Sequence, residues 1–315
     1  KALIDSHKPK QVRVYDVCII GAGAAGLSVA AATSMLGLKT ALVEKGAMGG
    51  DCLNYGCVPS KALLASAKKV TEIENAQPFG IDASSPRVDY KAIQAHIQDV
   101  IEQIAPMDSV ERYEGMGADV IQAEAYFENK NHLILAGKDF KIKAKKFVIA
   151  VGGRPSDPTI PGLQDAGYYT NETIFTAPKK PNNLVVIGAG PIGVEMAQAH
   201  ARLGCGVTMI TNTAFMPRSD QELAGIVKNS LRKDGITIIE GANIEKVEAG
   251  YVIYSHEGDE KPTKLSYGNI FVAAGRQPNI ANLGLSKAQI KYSPQGILVD
   301  DKMRTNHKHI YAIGD

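Results

Sequence analysis

One local pattern occurs twice in this chain, and that repetition constrains its fold more than any other feature. Tyr15-Asp16-Val17-Cys18-Ile19-Ile20 reads as a short apolar strand that ends at Gly21-Ala22-Gly23-Ala24-Ala25-Gly26. An alanine-rich helix is expected over 27–36 and a second strand over 39–44. Much later, Leu184-Val185-Val186-Ile187 leads into Gly188-Ala189-Gly190-Pro191-Ile192-Gly193, followed by a helix over 194–203 and a strand over 207–210. In such a strand–loop–helix context the first glycine makes the tight turn and the second lets backbone approach a pyrophosphate. The third lets helix pack on strand. The helix N-terminus then faces the phosphates. Two copies imply an α/β chain with two Rossmann-like βαβ nucleotide-binding domains.

The copies differ where the second strand ends. Glu44 lies 18 residues past Gly26, followed by Lys45, and its carboxylate can accept from both ribose hydroxyls of an adenosine. The corresponding place in the second copy is Thr211-Asn212-Thr213, with no carboxylate and with Arg218 close by in sequence. A 2′-phosphate would not be repelled there, which leans towards NADPH over NADH. Arg218 reads equally well as an ordinary surface arginine.

Between the copies, helices are expected over 61–76 and 89–104, the second broken at Pro106-Met107-Asp108-Ser109. Alternation over 119–143, with turn residues at 128–131 and 137–138, predicts a small antiparallel meander. A separate buried strand, Phe147-Val148-Ile149-Ala150-Val151, runs into Gly152-Gly153-Arg154-Pro155. The second half repeats the plan with a helix over 221–233, a strand over 237–239 and a meander over 244–265. Ile270-Phe271-Val272-Ala273-Ala274 then enters Gly275-Arg276-Gln277-Pro278-Asn279. Two three-stranded meanders and two βαβ units divide the chain into a discontinuous first domain, 1–155 with 276–315, and a second domain, 156–275.

Chemistry concentrates at Gly49-Gly50-Asp51-Cys52-Leu53-Asn54-Tyr55-Gly56-Cys57. On a regular helix, positions five apart lie roughly 8–9 Å apart at Cα, whereas a disulfide needs about 4.4–6.8 Å. For the cysteines to pair, the backbone between them must leave helical geometry, and Asn54 and Gly56 allow this. Pro59 suits the first turn of a following helix, which places Cys57 at a helix N-terminus where the dipole favours a thiolate. Read alone, the two cysteines fit a redox pair or two small buried residues equally well. The chain has only four cysteines in 315 residues, too few for a secreted disulfide scaffold. Cys18, in an apolar strand, and Cys205, in a helix-to-strand turn, read as structural. A net charge of +2 leaves no nucleic-acid footprint, and no apolar run is long enough to span a bilayer. With a polar opening stretch in place of a signal peptide, a cytoplasmic chain is expected.

Together these residues resemble the flavin-dependent pyridine nucleotide–disulfide oxidoreductases, the family of lipoamide dehydrogenase, glutathione reductase and mercuric reductase. The resemblance rests on both glycine loops, the segment from Gly49 through Lys61, Gly275-Arg276-Gln277-Pro278-Asn279, and Ile310-Tyr311-Ala312-Ile313-Gly314-Asp315. Met48-Gly49-Gly50-Asp51-Cys52 and Asp108-Ser109-Val110-Glu111-Arg112-Tyr113 look most like the mercuric-reductase-like branch. Some members of that branch carry an additional membrane-embedded domain upstream.

The resemblance implies FAD in the first domain, at Gly21, Gly23, Ala24, Ala25, Gly26, Glu44, Lys45, Gly50, Asp51, Gly152 and Asp315. It implies NADPH or NADH in the second, at Gly188, Gly190, Pro191, Ile192, Gly193, Thr211, Arg218 and Gly275, with Arg276, which opens the returning part of the first domain, also a cofactor-binding residue. It also implies a redox-active Cys52–Cys57 disulfide, Cys57 nearer the flavin and Cys52 exchanging with a small-molecule or protein disulfide or dithiol. Lys61 would sit beside flavin and thiolate, and Glu195 would pair with it. Without the resemblance, Lys61 reads as a surface helix lysine and Glu195 as a favourable charge in the first turn of its own helix. Pro191 stands where some relatives place an aromatic gate.

Relatives continue for roughly a further domain, which forms a homodimer interface and supplies a His-Glu acid–base pair. His7, His96, His132, His200, His256, His307 and His309 lack a matching context. The expectation is therefore a truncated chain without its interface domain, dimeric only at full length. A mercuric-ion-type reductase and a flavin-binding redox module without turnover stand as the alternatives to a dihydrolipoamide-dehydrogenase-like enzyme.

Overall fold

The computed structural model describes Pro9, residues 11–84 and residues 86–315; His7 and most of the polar opening stretch lie outside the described residues. The chain forms two compact units, 1–54 with 102–154 and 277–315, and 55–101 with 155–276.

The first unit is built on a 7-stranded sheet. Gln11–Ile20 lies at its centre, parallel to Thr40–Glu44 on one side and to Phe140–Ile149 on the other. Ala118–Gln122 extends the sheet beyond Thr40–Glu44, again in parallel. On the far side, Ala125–Asn129 and His132–Leu135 form an antiparallel meander with Phe140–Ile149. Helix Ala24–Met35 connects the two strands flanking the first glycine loop. One hydrophobic layer gathers Phe127, Leu133, Ile142 and Phe147, with Phe127 and Phe147 edge to face at 5.4 Å between centroids.

The strand expected over 147–151 is the second half of one long strand, Phe140–Ile149. Its burial alternates through Phe140–Ala144 and becomes continuous over Phe147–Ile149. The change follows its outer neighbour: Leu133 and Ile134 pair antiparallel with Ile142 and Lys141, whereas Ile310–Ala312 pairs in parallel with Phe147–Ile149. A solvent-facing meander gives alternation, and a parallel sheet interior gives a continuous apolar run. The chain-end motif is thereby part of the first unit's sheet.

The second unit repeats the arrangement. Leu184–Ile187 lies between Val207–Ile210 and Asn269–Val272, with Thr237–Ile239 outermost and every pairing parallel. Asn243–Glu248, Tyr251–Ser255 and Thr263–Ser266 form its antiparallel meander. Both units are thus the α/β arrangement expected from the duplicated pattern.

The unit boundaries differ from the expected division over 55–101. Helix Cys57–Glu74 buries Ala62, Leu63 and Ala67 in the same core as Val194, Met196 and Ala197 of helix Pro191–Arg202. Small side chains on both helices permit that close packing, and Tyr90 donates to His200 Nε2 at 3.2 Å in the same core. Hydropathy along the sequence marks these faces as buried but not which sheet they serve.

Candidate active site

The two glycine loops have the same geometry. Gly21 has φ +105° and Gly188 has φ +110°, a region L side chains rarely enter. A methyl group on Gly21 would lie 2.2 Å from the Ala150 carbonyl oxygen, and one on Gly188 would lie 2.4 Å from that of Ala273. A methyl on Gly26 would meet the Gly21 carbonyl oxygen at 1.9 Å, and one on Gly193 the Gly188 oxygen at 2.3 Å. The third glycine of each loop therefore packs its helix onto the first.

The middle glycines do something different. Gly23 and Gly190 are the N-caps of helices Ala24–Met35 and Pro191–Arg202, and neither helix has a side-chain cap or a first-turn acid. Neither helix thus spends its first N–H groups on a side chain of its own cap or first turn, which suits a phosphate. No atom lies within 4 Å of a methyl placed on Gly190. Gly50 packs against Gly23, where a methyl on Gly50 would approach Gly23 Cα to 2.6 Å. A methyl on Gly314 would lie 3.2 Å from Ala25 Cβ, so the segment ending in Asp315 comes back to the first turn of that helix. The residues present fit a dinucleotide in each unit.

In the first unit, Gly21, Glu44 and Lys45 line one pocket with Val151 and Asn279. Glu44 Oε2 accepts from Ala22 N–H at 2.6 Å and Oε1 from Gly46 N–H at 2.7 Å, so the carboxylate is fixed to the glycine loop. Its remaining lone pairs are enough for ribose hydroxyls. Gly152, with φ +62°, follows the Phe140–Ile149 strand and accepts from Asn279 N–H at 2.9 Å. Ala123, Glu124 and Ala125 also line this pocket, at the turn between two strands, and nothing in their sequence marks them. Asn279 could have been found, because it closes the Gly275-to-Asn279 motif.

In the second unit, Gly188, Gly190, Thr211, Arg218 and Gly275 line one crevice. Pro191, Ile192 and Gly193 turn away into the helix and are not part of that lining, and Arg276 lies just past it. Pro158, Thr159, Ile160 and Asn243 complete the wall and were not singled out from sequence.

The four cysteines fall into two classes. Cys18 and Cys205 are buried, and burial pushes both thiols up, Cys205 to about 11. Cys205 Sγ also donates to the Pro181 carbonyl at 2.8 Å. Cys52 is half-buried and Cys57 exposed. Cys52 belongs to the short helix Gly50–Asn54, and Cys57 opens helix Cys57–Glu74 with Gly56 as its N-cap. Helical geometry lapses at Tyr55 and Gly56, as pairing would demand. Asn54 Nδ2 anchors the turn through the Met48 and Gly50 carbonyls at 3.0 and 2.8 Å.

Lys61 lies one helical turn past Cys57 on the same face. Its Nζ donates to Glu195 Oε1 at 2.6 Å, joining residues 134 apart in sequence. Glu195 is the fifth residue of Pro191–Arg202, beyond its first turn, so interaction with its own helix terminus does not explain it. His200 is buried and donates from Nδ1 to the Met196 carbonyl at 2.8 Å, which makes Nε2 the acceptor for Tyr90. It is a core residue with no exposure for acid–base work.

A glycine loop of the dinucleotide type in each unit, with a half-buried and an exposed thiol five residues apart in the chain, is the pattern of a nucleotide-dependent redox protein. The model of the pyridine nucleotide-disulphide oxidoreductase family matches residues 15–315, and the chain belongs to that family. Members of the family use FAD and NAD(P)H. The chain is 34% identical over 306 residues to a mercuric reductase of Bacillus cereus, covering 96% of this chain and 48% of that protein. It is 32% identical over 306 residues to the dihydrolipoyl dehydrogenase of Bacillus subtilis, covering 95% and 66%. Among solved structures, the Cu(II) complex of the HOCl-induced flavoprotein disulfide reductase RclA from Escherichia coli superposes with a TM-score of 0.80 at 28% identity, covering 95% and 65%. The chain thus spans about half to two thirds of the length of these relatives. No helix among the described residues is long and apolar enough to cross a membrane.

Proposed function

We propose that this chain carries the nucleotide-binding and redox centre of an FAD-dependent NAD(P)H oxidoreductase that passes electrons to a disulfide or dithiol substrate. The observation that supports it best is the division of the thiols: two buried and held as thiols, two accessible at the break before helix Cys57–Glu74. In this reading the first unit holds FAD at the Gly21–Gly26 loop and Glu44, and the second holds the nicotinamide nucleotide at the Gly188–Gly193 loop. FAD, when bound, supplies the two-electron relay between nicotinamide and sulfur. Arg218, with no carboxylate at Thr211–Thr213, supports a preference for NADPH.

The chain's own residues then divide the work. Lys61, held by Glu195, offers its ammonium to the negative charge that develops on Cys57 when the cysteine pair is reduced. The Cys52 thiolate attacks one sulfur of a substrate disulfide and expels a thiolate, which takes a proton. Cys57 then displaces the second substrate thiolate by closing the Cys52–Cys57 bond. Two thiols are oxidised, and one substrate disulfide becomes two thiols. The same cycle in reverse oxidises a dihydrolipoamide-like dithiol. The mercuric reductases among the relatives support a second reading, in which the two thiolates present a bound metal ion for reduction. Homodimerisation and a cytoplasmic location belong to the same proposal.

Anaerobic reduction with NADPH tests the proposal. The flavoprotein should develop the long-wavelength absorbance of a thiolate beside oxidised flavin, and two alkylatable thiols should appear at Cys52 and Cys57. A Cys57→Ser variant should retain flavin and lose the band. A protein that is colourless in excess FAD, or whose band survives in Cys57→Ser, overturns the reading.

A further inference from the structure

The loop carrying Arg218 is held in place from several directions, and not all of its anchors line the crevice. Thr211 Oγ1 accepts from Thr213 N–H at 3.3 Å, fixing the start of the loop. Phe215 is buried at its middle. Met216, with φ +45°, adopts a left-handed backbone that is rare for its side chain, and its N–H donates to the Ala189 carbonyl at 3.0 Å. That bond fastens the loop to the second glycine turn two residues before Arg218. Strain of this kind persists only where surrounding contacts over-determine it.

Glu240, at the end of strand Thr237–Ile239, supplies one of those contacts. Its Oε1 accepts from Phe215 N–H at 2.7 Å, and its Oε2 forms an ion pair with Lys228 of helix Gln221–Lys233. Neither Glu240 nor Lys228 is among the crevice-lining residues. We propose that Glu240, held by Lys228, is a positioning residue that sets Arg218 for an adenosine 2′-phosphate, so that NADPH is distinguished from NADH by a residue that touches neither. The pair also neutralises the carboxylate, which, unpaired so close to the loop, would repel the added phosphate. This inference rests on the reading of Arg218 above.

Binding of 2′,5′-ADP and of 5′-AMP, measured calorimetrically on the full chain, tests it without any turnover. KM and kcat for NADPH and NADH give a second readout. Arg218→Ala should weaken 2′,5′-ADP by about tenfold or more and leave 5′-AMP unchanged. Equal affinities before and after that change overturn the 2′-phosphate reading itself, and with it this inference. Glu240→Ala should reproduce the loss, raising KM for NADPH about five- to tenfold with kcat nearly constant and NADH unaffected. Glu240→Gln keeps an acceptor for Phe215 N–H without the ion pair, and its loss should be smaller but measurable. If Arg218→Ala is selective while Glu240→Ala weakens both nucleotides equally, or neither, the positioning role is overturned. Should Glu240→Ala fail to fold, an unchanged 2′,5′-ADP to 5′-AMP ratio in Glu240→Gln overturns it alone.

Discussion

Lys61 Nζ and Glu195 Oε1 lie 2.6 Å apart, one turn along a helix from Cys57 at one end and just past a nucleotide-type glycine loop at the other. Both side chains retain solvent exposure, 60% and 35%, so the pair contributes at most about 1 kcal/mol to stability. Its value lies in where it places the ammonium. Lys61→Met and Glu195→Gln should therefore slow NADPH-driven formation of thiols by about tenfold to hundredfold. The melting temperature should move by only a few degrees. A large drop in melting temperature with unchanged kinetics would make the pair structural.

The glycines of the two loops separate folding from binding. Gly26→Ala and Gly193→Ala each force a methyl into a backbone oxygen, at 1.9 and 2.3 Å. Each should destabilise its own unit by about 1–3 kcal/mol or more. Gly190→Ala meets no protein atom within 4 Å. It should fold with an unchanged melting temperature and a normal flavin spectrum yet lose NADPH affinity, as read by fluorescence titration. Undiminished NADPH binding in Gly190→Ala would place the pyrophosphate elsewhere.

Cysteine replacements should split along the same line. Cys18→Ser places a hydroxyl in a fully buried site and should cost about 1–3 kcal/mol in a denaturant melt. Cys52→Ser and Cys57→Ser change an accessible position and should leave the melt within about 0.5 kcal/mol. Catalytic disulfide reduction should vanish in both, with Cys57→Ser halting at a Cys52–substrate mixed disulfide. Retained disulfide reduction in either would remove the pair from the mechanism.

His200 gives stability a pH dependence of predictable sign. Burial holds its pKa below the ordinary value, with the Met196 carbonyl acting in the opposite direction. As pH falls through about 6.5 the unfolded chain takes up a proton that the folded chain refuses. The contribution is therefore fully present above about 6.5 and is lost on the acid side, with a slope of at most about 1.4 kcal/mol per pH unit. Urea melts of the parent and of His200→Gln between pH 7.5 and 5.5 should converge as the pH is lowered. Parallel curves would mean that His200 takes up its proton equally readily in the folded and unfolded chains.

Much of the fold was legible because its signals are local. Leu184–Ile187, Val207–Ile210, Gln221–Lys233 and Thr237–Ile239 fall on the expected residues, since each apolar run is bounded by glycine, proline or charge. Helix starts were less visible. The helices begin at Ala24 and Pro191, three residues before the expected positions, because the last residues of each glycine loop already form the first turn. Phe140–Ile149 reads as two strands because its pattern records two different outer neighbours. The placement of 55–101 depends on which helix faces meet, and no periodicity carries that information. At the candidate site, motif residues such as Glu44, Cys57, Lys61 and Arg218 announce themselves by type and spacing. Ala123–Ala125, Pro158–Ile160 and the Glu240–Lys228 pair do not, since tertiary structure alone brings them into play.

The pairing of Ile310 with Phe147 has a consequence for synthesis. A ribosome delivers 155–276 as one nearly uninterrupted stretch carrying the second unit's whole sheet. The first unit's sheet cannot be completed until residues more than 160 positions downstream of Phe147 have emerged. Until then one side of Phe147–Ile149 is a bare parallel edge, open to mispairing with neighbouring nascent chains. Slow translation through that interval would lengthen the exposure, and chaperone demand should peak there.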